Sequence, residues 1–311
     1  MSYSTPSLQS LRERFSGLRQ APQSGGRAPH KPLLILLMLG RHQRGERSAV
    51  LFGKIRETLA ELIRDFGPPS TGRPNTEDPF WRLQNDRGNI WQVRDSLGGI
   101  ISEETHPPSI GRLVEREAAG NFVPDICRAF EERPAYIPPL AADLLAAHFP
   151  SSLHEDICSA VGLQMEGEIP EGREERRAVR DPEFRTKILT AYEFRCAVTG
   201  WDLRVGHSLA GLEAAHIRWH VADGPSIEQN GIALNALHHK LFDLGVFTLS
   251  AEDEVPRILV SRLANGGDAV RSMLLDYHGK QIRLPQDSDW LPDRDFILWH
   301  QKEVFKGEPR K

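Results

Sequence analysis

Long apolar segments are missing from this chain of 311 residues. Its longest apolar run, from Pro32 to Leu39, is far shorter than the roughly 20 residues that a membrane-spanning helix requires. The first residues, MSYSTPSLQSLRERF, also lack the hydrophobic core of an export signal. These absences argue against an integral membrane protein, and we expect a cytoplasmic protein with no membrane partner.

Cysteine is scarce as well. The three cysteines, Cys127, Cys158 and Cys196, are odd in number and far apart in the sequence. This pattern is typical of reduced thiols in a cytoplasm rather than of a disulfide framework. No two of them form a CxxC pair, so we expect no structural zinc site built on cysteines.

An overall positive charge is the third feature that the chain lacks. Its formal net charge is −4, which argues against a protein that coats nucleic acid along its whole surface. Residues 1–50 differ, because eight basic residues there are accompanied by only two acids, Glu13 and Glu46. This local excess predicts either contacts to phosphates or a solvated basic face. The basic residues are Arg12, Arg14, Arg19, Arg27, Lys31, Arg41, Arg44 and Arg47.

The length of the chain predicts two domains. A charged stretch over residues 166–183 has almost no apolar periodicity, which is typical of a linker. We therefore predict an α+β protein with an N-terminal domain over residues 1–165 and a C-terminal domain over residues 184–311. The N-terminal domain is expected to be mainly helical with one small β-hairpin.

Three helices are predicted near the N-terminus. Residues 6–20 and 53–65 have apolar residues at helical spacing, which predicts amphipathic helices. Between them, HKPLLILLMLG has Pro32 in its first turn and apolar residues on all sides, as in a buried helix. His30 and Lys31 begin this helix, where backbone N–H groups and the helix dipole favour an anion.

The predicted hairpin lies in DPFWRLQNDRGNIWQV. Aromatic and β-branched residues flank residues 85–88, Asn-Asp-Arg-Gly, a sequence typical of a tight turn. We therefore expect two strands that meet at this turn.

The segment from Cys196 to Leu249 carries the most informative pattern. It predicts a strand ending in Ala-His-Ile, a loop with Asn-Gly, and a short helix that opens with His-His. His216, Asn230 and His239 stand 14 and 9 residues apart. In order and spacing, this segment resembles the HNH endonuclease family of ββα-metal nucleases.

The resemblance implies a DNA endonuclease whose catalytic residues are His216, Asn230 and His239. An unperturbed imidazole has a pKa of about 6.5 and is partly neutral at physiological pH, so His216 is the candidate general base that activates water. His239 and Asp243 lie four residues apart on one helix face, where they can chelate one divalent ion, Mg²⁺ or Mn²⁺. Asn230 is expected to hold the loop through side-chain-to-backbone hydrogen bonds, and its contact with the metal is left open.

One position departs from the HNH pattern. Many HNH nucleases carry Asp or His, a metal ligand, directly before the general base, whereas this chain has Ala215. Glu213 lies two residues earlier and hence on the same strand face, from which its longer side chain could reach the ion. The alternative is a site with two protein ligands and more water.

A second resemblance covers part of the N-terminal half. The segments HKPLLILLMLG and PFWRLQND, with the HNH module behind them, resemble the sulfur-binding domain of phosphorothioate-dependent HNH restriction endonucleases. This implies recognition of double-stranded DNA in which sulfur replaces a phosphate oxygen. Sulfur is polarisable and poorly hydrated, so its site should combine an apolar cup with cationic donors. The expected cup residues are Pro79 and Phe80, and the expected cationic residues are Arg27, His30, Lys31 and Arg82.

Asp78 departs from the pattern of that family, which commonly has Tyr before Pro-Phe, and the selectivity for sulfur is therefore left open. One rival hypothesis is an HNH enzyme that reads a modified base through an aromatic cage, for which Phe80, Trp81 and Trp91 are available. Another is an inactive DNA-binding protein. Since double-strand cutting needs two active sites, we expect the active enzyme to be a homodimer.

Overall fold

The structure is a computed structural model, and two compact units are described separately below. The first unit comprises Met1–Phe149 and His154–Ile169, and the second comprises Pro150–Leu153 and Pro170–Lys311. The described residues are 5–18, 29–70, 72–99, 108–165 and 182–311. Most of the predicted linker and the predicted DNA contact Arg27 lie outside them. In the described part of the chain, no helix combines the length and apolar character needed to cross a bilayer.

Helices form most of the first unit. They are α1 (Leu8–Ser16), α2 (His30–Gln43), α3 (Phe52–Phe66), α4 (Glu77–Arg82), α5 (Ile110–Glu115), α6 (Pro124–Glu132), α7 (Ile137–His148) and α8 (His154–Val161). The predicted positions of α1, α2 and α3 are confirmed. Residues 32–40 of α2 are all buried, and α2 packs against α3, α4, α7 and α8, so it is the central helix that its all-round apolar sequence predicts.

A small antiparallel sheet completes the first unit, with the strand order β1-β3-β2. Its strands are β1 (Val50–Leu51), β2 (Trp91–Arg94) and β3 (Ala119–Phe122). The predicted hairpin with its turn at residues 85–88 is wrong, because the chain before this turn is helical. Glu77 and Asp78 at the N-terminus of α4, and Pro79 in its first turn, favour a helix over the strand that the aromatic residues suggest.

The second unit contains the predicted nuclease segment. Its helices are α9 (Pro182–Ala191), α10 (Ala236–Asp243), α11 (Asp268–Met273) and α12 (Arg294–Glu303). Its strands are β4 (Arg204–Val205), β5 (Ser208–Leu209), β6 (Leu212–His216), β7 (Gly231–Asn235), β8 (Phe247–Leu249) and β9 (Ile258–Val260). Together with the helical first unit, these elements confirm the α+β class.

The β6–β7 pair is the centre of the second unit. The two strands are antiparallel, with Leu212 opposite Asn235 and His216 opposite Gly231. α9 and α10 both pack against this pair. A Cβ atom on Gly231 would lie 2.1 Å from Cδ1 of Ile188 in α9, so any side chain at this position would displace Ile188.

β7 continues directly into α10. Asn235 is both the last residue of β7 and the N-cap of α10, and its Oδ1 accepts a hydrogen bond from the backbone N–H of His238 at 2.8 Å. This cap fixes the start of the helix relative to the strand. The predicted strand, loop and short helix are therefore confirmed, in that order.

Candidate active site

The candidate residues lie on two faces of β6. Side chains alternate along a strand, so Glu213 and His216 point to opposite faces. Glu213 contacts His239 of α10, whereas His216 stacks on Phe184 of α9. The structure thus places the candidate general base beside α9 and the candidate metal ligands between β6 and α10.

Asn230 holds the loop between β6 and β7. Its side chain is fully buried, and Oδ1 accepts a hydrogen bond from the backbone N–H of Arg218 at 2.8 Å. Nδ2 donates to the carbonyl oxygens of Arg218 at 3.0 Å and Pro225 at 2.8 Å. The predicted side-chain-to-backbone hydrogen bonds are therefore present. Because both its oxygen and its nitrogen are hydrogen-bonded to the loop, the Asn230 side chain fixes the backbone of the residues that follow His216.

His216 is half-buried at the end of β6. Its ring lies parallel to that of Phe184, with centroids 3.8 Å apart and an interplanar angle of 12°. Its Nε2 lies 3.3 Å from Oγ of Ser226, and the ring of His220 is 5.8 Å away. Stacking and the hydroxyl contact restrict the orientation of the imidazole, which a general base requires.

His239 lies between two carboxylates. Its Nδ1 is 2.6 Å from Oε2 of Glu213, and its Nε2 is 3.3 Å from Oδ2 of Asp243. The Asp243 side chain is almost fully buried and also accepts a hydrogen bond from the hydroxyl of Ser152, which belongs to the second unit. The structure therefore brings together the predicted ligand pair and the additional carboxylate of Glu213.

The charges at this cluster stabilise each other. Burial of the His239 ring opposes its positive charge, but the carboxylates of Asp243 and Glu213 outweigh burial and raise the pKa of His239 to about 9. Burial likewise opposes the Asp243 carboxylate, but the His239 ring and the Ser152 hydroxyl lower its pKa below the usual value. In the absence of an ion the two carboxylates favour the protonated ring, and a bound divalent ion would replace the proton on Nε2.

His239 and Asp243 fit one divalent ion. Two ligands at about 2.1 Å from an ion and at right angles lie about 3.0 Å apart, close to the 3.3 Å between Nε2 and Oδ2. Among the described residues, no group of three or more His, Cys, Asp or Glu side chains is arranged around one ion. The geometry is therefore compatible with the alternative of two protein ligands and more water.

His238 is the neighbour that does not join the cluster. It is fully buried, with Nδ1 2.8 Å from Oδ1 of Asn235 and Nε2 2.9 Å from the carbonyl oxygen of Met273. His238 therefore supports the packing of α10.

In the first unit, the predicted cationic residues meet acidic partners. Lys31, in the first turn of α2, has its Nζ 2.6 Å from Oδ1 of Asp86, whose side chain is only 2% exposed. Arg82 is exposed and pairs with Asp78, with 3.1 Å between Nε and Oδ1. Asp78 is thus tied to a basic side chain of its own helix. His30 is the first residue of α2, as predicted.

The predicted apolar cup requires a correction. Pro79 is buried, and Phe80 is 0% exposed, with its ring between those of Phe52 and Trp91. Phe80 is therefore a core residue of the first unit rather than a ligand contact. The reason is the helical course of α4, which places the Phe80 ring against Phe52 of α3 and Trp91 of β2 instead of leaving it on a hairpin surface.

The aromatic cage of the rival base-reading hypothesis is also absent from these residues. Trp81 and Trp91 are each 1% exposed, and Nε1 of Trp91 donates to the carbonyl oxygen of Phe80 at 2.9 Å. These side chains pack in the core, so none of them offers a face to a flipped base.

Three residues at these sites were not predicted from the sequence. Phe184 and Ser226 contact His216, and Asp86 pairs with Lys31. Phe184 lies in α9, and no local pattern of the sequence indicates its contact with His216. Ser226 and Asp86 lie in irregular segments, where periodicity gives no signal.

The chain matches two known protein families. The family described as ScoMcrA-like, DNA sulfur-binding domain matches residues 8–166, about half of the chain. The chain belongs to this family. The HNH endonuclease family matches residues 196–250, which include His216, Asn230 and His239. The protein is thus an HNH DNA endonuclease with a DNA sulfur-binding domain.

Solved structures show likenesses to this sulfur-binding HNH endonuclease. The sulfur-binding domain of ScoMcrA complexed with phosphorothioated DNA is 20% identical, with a TM-score of 0.40, and the match covers 49% of this chain and 94% of that chain. The corresponding complex of SprMcrA is 21% identical, with a TM-score of 0.43 and coverage of 52% and 98%. The type IV phosphorothioation-dependent restriction endonuclease ScoMcrA is 20% identical, with a TM-score of 0.38, and the match covers 49% of this chain and 32% of that chain. No curated protein matches the chain.

Proposed function

We propose that this protein is a modification-dependent restriction endonuclease that binds phosphorothioate-modified DNA and hydrolyses its phosphodiester bonds. The observation that carries this proposal is the presence, in one chain, of a DNA sulfur-binding domain and an HNH module that retains His216, Asn230 and His239. A reader of modified DNA joined to a nuclease is the arrangement that a restriction system requires. We infer a cytoplasmic location, where such DNA is encountered.

His216 acts as the general base in the proposed cleavage. The imidazole accepts a proton from the attacking water, while Phe184 and Ser226 hold the ring. Asn230 keeps the loop after His216 in one conformation through its three hydrogen bonds. A catalytic base must be held within a fraction of an ångström of its productive position, and these contacts restrict the motion of His216 in this way.

His239 and Asp243 would hold the divalent ion, Mg²⁺ or Mn²⁺. HNH endonuclease domains generally use such an ion, and when bound it supplies a Lewis acid for the scissile phosphate and the leaving oxygen. The side chains offer one imidazole nitrogen and one carboxylate oxygen 3.3 Å apart. The remaining positions would be filled by water and by DNA.

His30, Lys31 and Arg82 are the proposed phosphate contacts of the DNA-reading domain. His30 and Lys31 lie in the first turn of α2, where backbone N–H groups and the helix dipole add to their charge. Arg82 is exposed and keeps hydrogen-bond capacity beyond its bond to Asp78. We further propose that two copies of the chain cut the two strands as a homodimer, which analytical ultracentrifugation with DNA tests.

A paired binding and cleavage assay tests the proposal. One duplex carries a phosphorothioate and its twin is unmodified, and both are incubated with Mg²⁺ and with Mn²⁺. We expect tighter binding and selective cutting of the modified duplex. His216→Ala should bind the modified duplex but not cut it, whereas His207→Ala, which removes an exposed histidine of the same unit, should cut like the wild type.

Three results would each contradict a part of the proposal. Equal binding and cutting of both duplexes would leave a nuclease without sulfur selectivity. Cutting by His216→Ala at the wild-type rate would remove His216 from the reaction. Binding of DNA without cleavage under all metal conditions would favour an inactive HNH fold.

A further inference from the structure

Glu213 is a carboxylate whose role the sequence left open. Its Oε2 lies 2.6 Å from Nδ1 of His239, whereas Oδ2 of Asp243 lies 3.3 Å from Nε2 of the same ring. The two ring nitrogens point away from each other. Glu213 and Asp243 therefore lie at opposite ends of the imidazole, and an ion held between Nε2 and Asp243 is on the far side of the ring from the Glu213 contact.

The contact at Nδ1 determines what Nε2 can do. A neutral imidazole carries one proton, and only the nitrogen without it can bind a cation. A carboxylate that accepts a hydrogen bond from one N–H fixes both the tautomer and the ring orientation of a metal-binding histidine. At His239, a proton held on Nδ1 by Glu213 leaves the Nε2 lone pair directed towards Asp243.

We propose that Glu213 is a positioning residue for the metal site, which fixes the Nδ1–H tautomer and the orientation of His239 without binding the ion. This inference rests on the metal-dependent cleavage proposed above. It accounts for the absence of a group of three donors around one point among the described residues, although three suitable side chains lie close together. It also gives a function to the carboxylate on the strand face where Ala215 offers no ligand.

Calorimetric titration of the full-length protein with Mn²⁺, without DNA, tests this role separately from catalysis. Glu213→Ala is expected to weaken Mn²⁺ binding by about 10–100-fold, the usual effect of removing such a partner. Glu213→Gln keeps an oxygen that can accept the hydrogen bond from Nδ1, so this variant should lose much less Mn²⁺ affinity than Glu213→Ala. Glu252→Ala removes an exposed carboxylate of the same unit and should bind Mn²⁺ like the wild type.

A direct ligand would behave differently. An amide oxygen is a much weaker ligand for Mn²⁺ than a carboxylate, so equal losses in Glu213→Gln and Glu213→Ala would overturn the proposal. Unchanged affinity in Glu213→Ala would overturn it as well. Circular dichroism establishes that each variant is folded.

His239→Ala and Asp243→Ala separate this inference from the proposed function. If the wild type binds no Mn²⁺, or if neither variant weakens binding, the proposed metal site is wrong and the role of Glu213 falls with it. If both variants weaken binding but Glu213→Ala does not, only the positioning role is wrong.

Nitrogen-15 NMR of the imidazole gives a second readout. With the diamagnetic probe Zn²⁺ bound, we expect the wild-type His239 ring to show a protonated Nδ1 and a metal-bound Nε2. The Glu213→Ala variant should lose this single assignment. A metal-bound Nδ1 in the wild type would refute the proposal directly.

Discussion

Replacement of Asn230 by Ala should loosen the loop that follows the candidate general base. The change removes three hydrogen bonds to Arg218 and Pro225 and leaves their backbone groups without this partner in a buried site. An unmade buried hydrogen bond costs about 1 kcal/mol or more, so the loss is about 3 kcal/mol. If the cost falls on local opening of residues 217–229, their amide hydrogen exchange should accelerate about 100-fold.

Asn230→Asp tests the geometry more sharply, because the side chain keeps its shape. The second carboxylate oxygen would face the carbonyl oxygens of Arg218 and Pro225, which now receive hydrogen bonds at 3.0 and 2.8 Å. Ionised Asp is therefore repelled, and its pKa should rise in the folded protein. A raised folded pKa means that the variant recovers stability as the pH falls below that value, since protonated Asp can donate one of these bonds.

Hydrogen–deuterium exchange of the full-length protein at pH 7 and pH 5, corrected for the intrinsic pH dependence, measures both effects. The matched control is Asn265→Asp, which changes an exposed asparagine of the same unit and should leave the loop unchanged. Wild-type exchange of residues 217–229 in both Asn230 variants would refute the loop-holding role. Faster exchange in Asn230→Asp at pH 5 than at pH 7 would refute the assigned hydrogen-bond directions.

Two further predictions concern the first unit. Asp86→Asn removes a carboxylate that partly neutralises Lys31, so it should raise the affinity for unmodified DNA and make binding more sensitive to salt; Glu57→Gln, which removes an exposed carboxylate of the same unit, should change both much less. Burial lowers the pKa of His148 to about 4, so the unfolded chain binds a proton that the folded chain does not. Stability is thus lost as the pH falls from about 6.5 towards 4, and urea titrations should show a smaller loss in His148→Gln.

Elements with a strong and regular pattern could be predicted from the sequence. The burial of α2 on all sides follows from its unbroken apolar run, and the course of β6, β7 and α10 follows from the HNH spacing. The hydrogen bonds of Asn230 could be anticipated as well, because a loop between two strands needs an internal partner for its backbone. These features depend on local sequence patterns, which can be read from a single sequence.

The role of α4 could not be predicted in this way. Its aromatic residues have strand propensity, but acidic residues at its N-terminus and Pro79 in its first turn fit a helix equally well, and packing against α2 favours the helix. Burial of Phe80 and Trp81 then follows from the helix. The pairing of Lys31 with Asp86 is a tertiary contact between residues 55 apart, for which no local pattern exists.

The two candidate functional histidines are held by contacts on opposite faces of β6. His216 of β6 is held by Phe184 of α9, whereas Glu213, on the other face of β6, holds His239 of α10. The two imidazoles therefore depend on different contacts, although each contact includes a residue of β6. A change at Glu213 should alter metal affinity and leave the orientation of the base intact, and a change at Phe184 should do the reverse. Measured together, these two variants would separate metal binding from proton transfer in one protein.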